Sequence, residues 1–460
     1  MIKSTLILLF CILLAATTST ADSVDIPLDF MTIQEGIDFV SDGDTVVVLW
    51  FGDYQGPGNR DLDFGGKNLV LRGIGEPVLS GLGGGRGIVF QNDESSSSIV
   101  EGIVFQDYRE TGNGYAVHCI DASPTFKSCR FAESGDMGCT AGGGGAVCLE
   151  GNSNSLFENV AFYNNSSNWG GAVFCLFGAA PSFFQCRFEA NGAGDGGAVA
   201  CESYATPKFN ECEFLENAGN GGAVYVGYEC RPVFEDCEFF GNDSWAATGE
   251  YDPGRGIGGA FFVDDGHVEM MRCRIIDSRA GTNMWAMGGK GGGIYIDGGS
   301  LFAEEILFED CSSAFYGSAI WAENAAVEIR QCTFGLGSTA PAGGALYFED
   351  VSGSIEQCIV AFNVGGGVLG LRLWPQFACN DIFSNSSGDY LGELNELTGI
   401  DGNISLNPIF CGETFPDRLS IADNSPCAPE NNDCGQLMGF LEPACPPQAT
   451  LLLVPSEYSD

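Results

Sequence analysis

Two histidines, His118 and His267, serve all 460 residues, and they lie far apart in sequence, so a His-dependent catalytic triad is excluded as an organising idea. Basic residues are scarce as well. Lys and Arg number 19 against 61 Asp and Glu, a net charge of −42, so the surface repels nucleic acid and anionic lipid and attracts cations. After the first two dozen residues no apolar run approaches the roughly 20 residues of a membrane span. Periodic leucines and helical returns are missing, which removes a leucine-rich repeat. The acidity does not imply disorder, because 45% hydrophobic residues are ample for a core.

Glycine (67), phenylalanine (34) and cysteine (20) are abundant, and they recur together. Residues 188–201, FEANGAGDGGAVAC, repeat in variant form from about 112 to 370. Counted by the first glycine of each pair, the unit steps through Gly114, Gly144, Gly170, Gly196, Gly221, Gly258, Gly292, Gly317, Gly343 and Gly366. Such a period, with short β-type segments and Gly or Asn at corners, predicts stacked coils that share one core. Each coil carries F-x-x-C-x-F-x-x-N, as in Phe183, Cys186, Phe188 and Asn191, and then G-G-A-V-x-V, as in Gly221 to Val226. Strand alternation puts Val224 and Val226 inside and Tyr225 outside.

The FxxN and GGA[IVL] pairs, here FEAN with GGAV, FLEN with GGAV and FFGN with GGAF, resemble the repeat of chlamydial polymorphic outer-membrane proteins. More broadly they resemble the right-handed parallel β-helices of the pectin-lyase-like class. The resemblance implies an all-β right-handed parallel solenoid over roughly residues 30–445, and it leaves activity open, since lyases, hydrolases and adhesins share that class. Division of the chain follows: 1–21 a signal peptide, 22–60 an N-terminal cap and first strand, 61–390 the β-helix, 391–445 a Cys-rich C-terminal cap, and 446–460 a tail. Thr32 with Glu35 forms a capping-box pattern ahead of Ile33, Ile37 and Val40, so a short helix caps the first coil. The leader implies a secreted or cell-surface protein without a membrane span once it is cleaved.

Two cysteine columns emerge from the alignment. Cys129, Cys186, Cys212, Cys237, Cys273, Cys332 and Cys358 take the inward position of the first strand. Cys119, Cys175 and Cys201 share the second strand's inward position with Leu149, Val226, Val263, Ile296, Ala322 and Phe348. Exchange with aliphatics predicts buried thiols, whereas Cys411, Cys427, Cys434 and Cys445 lie in a Pro- and Asn-rich tail that suits disulfides.

No catalytic motif stands out. Asp264, Asp265, Gly266 and His267 read as a turn between strands. The outward residues Phe174, Tyr225, Phe262, Tyr295, Trp321 and Tyr347 predict an aromatic stripe, with self-stacking as its structural alternative. The repeat lengthens twice in succession, at 242–255 and 279–290, which brings Trp245, Glu250, Tyr251, Asp252 and Trp285 to one corner. Tyr225, Phe262, Tyr295, Trp321, Tyr347 and these insertion residues form the candidate ligand set, with a polysaccharide or host or neighbour-cell surface glycan as the ligand. A carboxylate column, Asp264, Asp297, Glu323 and Glu349, is the candidate calcium site. The alternatives are a calcium-dependent polysaccharide lyase, for which Arg272, Arg274, Lys290 and Arg330 are available bases, and a structural or adhesive protein without a small ligand.

Overall fold

A computed structural model describes residues 22–109, 112–135, 142–244, 256–281, 289–339, 343–394, 397–412 and 417–448. Each coil of chain lays one strand on each of three long parallel sheets. The first has 14 strands, from Ser23–Ile26 to Gln376–Ala378; the second has 13, from Tyr54–Gln55 to Asp381–Phe383; the third has 13, from Leu62–Asp63 to Tyr390–Gly392. A six-stranded corner sheet, from Ser166–Trp169 to Ser312–Ser313, lies between the second and third strands of a coil. The GGA segments align as one sheet, as expected: Val199 pairs Val224, Val224 pairs Phe261 and Phe261 pairs Ile294.

The F-x-x-C-x-F-x-x-N half-repeat has a physical reason at each letter. Its first Phe points inward from the first sheet, and Phe157, Phe183, Phe209 and Phe234 stack at 4.7–4.8 Å. Its second Phe points inward from the second sheet, where Phe162, Phe188, Phe214 and Phe239 stack at 4.6–4.8 Å. Those spacings are the strand spacing itself, so in-register pairing alone brings ring onto ring. The Asn is buried at the next corner, where it carries the ladder Asn165, Asn191, Asn217 and Asn242, each side chain bonded to the next. The Cys sits at the corner between the first two sheets and not within the first strand, because Gln185, at φ 51°, turns the chain just before Cys186. Its thiol donates to Phe157 O at 3.4 Å in the preceding coil.

The glycine pair answers two different crowding problems. Gly196 has φ +66°, and Gly197 lies so close to the next coil that an added Cβ would stand 2.1 Å from Gly222 O. Structurally the series runs through Gly291 (φ +64°) and Gly365 (φ +111°), one residue before the Gly292 and Gly366 read from sequence. Runs of three glycines at both places hide the register.

Helix α1, Ile33–Phe39, has the expected capping box, with Glu35 N donating to Thr32 Oγ1 and Thr32 N to the Glu35 carboxylate. Ile33, Ile37 and Val40 are buried against the first coil. Changing Thr32 to Ala removes half of this box and is expected to cost about 1 kcal/mol, read as faster amide exchange in α1 with the central coils unaffected.

All 14 free cysteines among the described residues are buried. The tail bridges differ from the expectation in one member: Cys411 pairs Cys445, but Cys434 pairs Cys379 on the last coil, and Cys427 is a buried thiol. The C-terminal segment does more than cap an end. Ile421, Leu437 and Met438 pack on Ile359 and Ala361, residues that point outward from the second sheet. Phe440 reaches further back, with the Arg274 guanidinium 5.5 Å from its ring centroid, and Arg418 pairs with Glu309 at 2.6 Å.

Candidate functional site

Sheet register assigns the outer column of the third sheet without ambiguity: His118, Cys148, Phe174, Ala200, Tyr225, Phe262, Tyr295, Trp321, Tyr347 and Leu369, one per coil. Two places further on, Glu150, Leu176 and Glu202 begin a parallel row that continues as Asp264, Asp297, Glu323 and Glu349. Both columns were legible in the sequence from Phe174 onward. Their openness was not.

Tyr225, Tyr295, Trp321 and Tyr347 are only 4–6% exposed, so they do not present the open aromatic face that the stripe implied. The rings cover one another, with Tyr225 to Phe262 at 5.2 Å and Trp321 to Tyr347 at 4.1 Å between centroids. Trp169 and Tyr316, on the corner side, close over the column's flank, Tyr316 stacking on Tyr347 at 5.4 Å. Phe262 is the half-exposed member, set between Tyr225 and Tyr295.

The acidic row supplies its own relief from like-charge repulsion. Tyr225 donates to Glu202 at 3.1 Å, Tyr347 donates to Glu349 at 2.6 Å, and Tyr295 donates to Glu323. Lys290 adds a 3.4 Å contact to Glu323 and lies 4.4 Å from the Trp321 ring centroid; Arg372 pairs with Glu349 at 2.5 Å, and Asn324 donates to Asp297 at 3.0 Å. Burial, then Asp265 and Asp297, raise the Asp264 carboxyl. Asp264, Asp297, Glu323 and Glu349 therefore form a row as expected but not a convergent calcium cage. Three of the four are held by the chain's own donors.

Among the described residues one trio of metal-ligating atoms does converge, on His118, Cys148 and Glu150, all within 4.8 Å of one another. Sequence reasoning missed it by starting the outer column at Phe174. Counting four residues from the first glycine gives Phe174 from Gly170, but equally Cys148 from Gly144 and His118 from Gly114.

The two insertions leave from one place. Asp243 pairs Arg279, Ser244 pairs Ala280, and Ile257 bridges Lys290, so the described residues that flank segments 245–255 and 282–288 lie side by side on neighbouring coils, a few residues before the paired Phe262 and Tyr295. Trp245, Glu250, Tyr251, Asp252 and Trp285 themselves lie outside the described residues.

Of the other candidates, Asp265 and Gly266 make a turn, with His267 Nδ1 against Ser300 Oγ at 2.8 Å and its Nε2 3.5 Å from Glu229. Arg272 is engaged by Asp236 at 2.9 Å and Arg330 by Glu356 at 3.9 Å. A groove of about 380 Å³ beside Phe440 is lined by Asp236, Glu238, Arg272, Arg274 and Glu305.

Residues 83–267 match the family described as a right-handed β-helix region. The match covers that stretch, and the fold of the chain is a right-handed parallel β-helix. The solenoid is thus of the kind implied by its repeats and consistent with the pectin-lyase-like class; nothing in the match bears on the chlamydial likeness. No curated protein matches the chain. Among solved structures, the tailspike receptor-binding domain of siphovirus 9NA is 11% identical over 85% of this chain and 77% of its own, with a TM-score of 0.29. The receptor-binding tailspike protein of bacteriophage Det7 is 12% identical over the same shares, also at 0.29. The catalytic domain of a GH87 α-1,3-glucanase is 11% identical over 85% and 69%, again at 0.29. Likenesses of this size carry no argument about what this β-helix binds.

Proposed function

We propose that this β-helix is a secreted or cell-surface protein that binds a glycan at the corner where its two insertions emerge. The observation that carries the reading is the pairing of their anchors, Asp243 with Arg279 and Ser244 with Ala280, so that the chain enters both Trp-bearing insertions from adjacent residues on neighbouring coils. Solenoid insertions confined to neighbouring coils are the usual way a regular scaffold acquires a binding face. Beside the anchors lie the half-buried Phe262 and the carboxylate row with Lys290, which offers acceptors and a donor for sugar hydroxyls. Calcium has a smaller part here than the sequence suggested, because Glu323 and Glu349 already have partners.

A second reading, a structural or adhesive solenoid without a small ligand, is favoured by the burial of Tyr225, Tyr295, Trp321 and Tyr347, which serve packing. A glycan array probed with the mature protein separates the two. Binding that drops at least tenfold when Trp245 and Trp285 are changed to Ala, with thermal stability retained, supports the corner site. No binding on the array, or binding indifferent to both substitutions, leaves the structural reading.

A further inference from the structure

We infer that His118, Cys148 and Glu150 form a zinc site toward the N-terminal end of the outer column. The register explains their meeting: His118 and Cys148 are direct partners on adjacent strands, so their side chains leave the third sheet one above the other, and Glu150, two residues after Cys148, leaves on the same face. His118 Nε2 is 2.9 Å from Glu150 Oε1, Cys148 Sγ is 3.6 Å from the same oxygen, and all three ligand atoms fall within 4.8 Å of one another.

Zinc takes imidazole nitrogen, thiolate sulfur and carboxylate oxygen at about 2.0–2.3 Å, so the edges of a tetrahedron around it measure roughly 3.3–3.8 Å. The sulfur–oxygen separation already fits, and the nitrogen–oxygen separation needs only a few tenths of an ångström. Nitrogen, sulfur and oxygen together select against calcium and magnesium, which want oxygen alone. On binding, the Cys148 thiol loses its proton to solvent and its sulfur bonds to the metal, the His118 imidazole shifts its proton from Nε2 to Nδ1 so that the freed Nε2 lone pair bonds to the metal, and Glu150 exchanges the His118 hydrogen bond for a metal bond. Three protein ligands leave a fourth position for water on the side where His118 and Glu150 are partly exposed.

The surroundings supply an outer shell. Asn113 donates to Glu150 Oε1 at 3.0 Å while its own Oδ1 accepts from Gly143 N at 3.0 Å, which fixes the carboxylate's direction. Along the column Val89 and Phe174 are the neighbours of His118 and Cys148, and they close the site above and below with apolar surface. Arg86 is a nearby cation among the described residues that opposes a metal, and its guanidinium is committed to the carbonyls of Gly114 and Asn113 at 2.8 and 2.9 Å. Unlike the thiols of the solenoid interior, Cys148 belongs to the outer cluster with Phe174 and Tyr225.

The test is equilibrium dialysis of the full mature chain, first stripped with chelator and then titrated with zinc. One zinc per chain is expected, with cobalt in its place giving a thiolate-to-metal charge-transfer band. Cys148→Ser and His118→Gln should each weaken binding by more than the ~10–100-fold that loss of an outer partner costs, while Cys201→Ser, an interior thiol, changes nothing. The cobalt spectrum of the unaltered protein keeps the test meaningful should a variant fail to fold. Absence of stoichiometric zinc, a cobalt complex without the thiolate band, or zinc retained by the Cys148→Ser, His118→Gln double variant overturns the assignment.

Discussion

Changing Asn217 to Ala should destabilise the solenoid by roughly 4 kcal/mol, seen as a lower urea midpoint with amide exchange accelerated most in the coils on either side. Asn217 is fully buried and makes four side-chain hydrogen bonds at 3.0 Å: it donates to Phe188 O and Asn242 Oδ1, and accepts from the backbone N and the Nδ2 of Asn191. Alanine leaves two N–H groups of Asn191 facing a dry gap, and each buried donor without a partner costs about 1–3 kcal/mol. Ser278 and Cys311 continue the same column two and three coils from Asn217, so the site tolerates a small polar side chain. Asn217→Ser should accordingly lose about half as much as Asn217→Ala. A loss under about 1 kcal/mol for Asn217→Ala would show that the ladder decorates the corner and does not hold it.

The second large effect concerns pH. Asp381 is completely buried, its carboxylate accepting from Leu406 N at 3.0 Å and from the Cys427 thiol at 3.1 Å, and burial pushes its pKa from 3.8 up to about 7. Because the folded-state value is raised, this group's contribution to stability is fully present below 3.8, shrinks as pH rises from there, and is gone above about 7. At about 1.4 kcal/mol per tenfold change, that gap makes roughly 4 kcal/mol of pH-dependent loss. Asp381→Asn, an uncharged amide of nearly the same shape, should match the unaltered protein at pH 4 and exceed its stability by roughly that amount at pH 8. Parallel stability curves across this window would contradict the raised pKa assigned to the buried Asp381.

Much of the fold was legible because a solenoid repeats its physics. Phe183, Cys186, Phe188, Asn191 and the pair Gly196 and Gly197 each answer a local demand that returns with every coil, whether a stacked ring, a corner thiol, a ladder amide or a backbone too close for a Cβ. Features that occur once were hidden. Cys379 as the partner of Cys434, and the packing of Ile421 and Met438 against Ile359, depend on a tail that returns along the second sheet, and no period announces it. Alternation correctly placed Tyr225, Tyr295, Trp321 and Tyr347 on the outer side of their strands, but alternation says nothing about Trp169 and Tyr316, which cover them from the neighbouring corner. Outward from a strand is not the same as exposed.

That distinction moves the weight of the glycan reading from the aromatic stripe to the insertion corner, with Phe262 and Lys290 at its edge. The most direct measurement is hydrogen exchange of the mature protein with and without the oligosaccharide that it binds best on an array. Protection concentrated in residues 243–258 and 279–292 is the predicted result. Protection centred elsewhere, such as the groove of Arg272 and Arg274 beside Phe440, or no ligand-dependent protection at all, would contradict it.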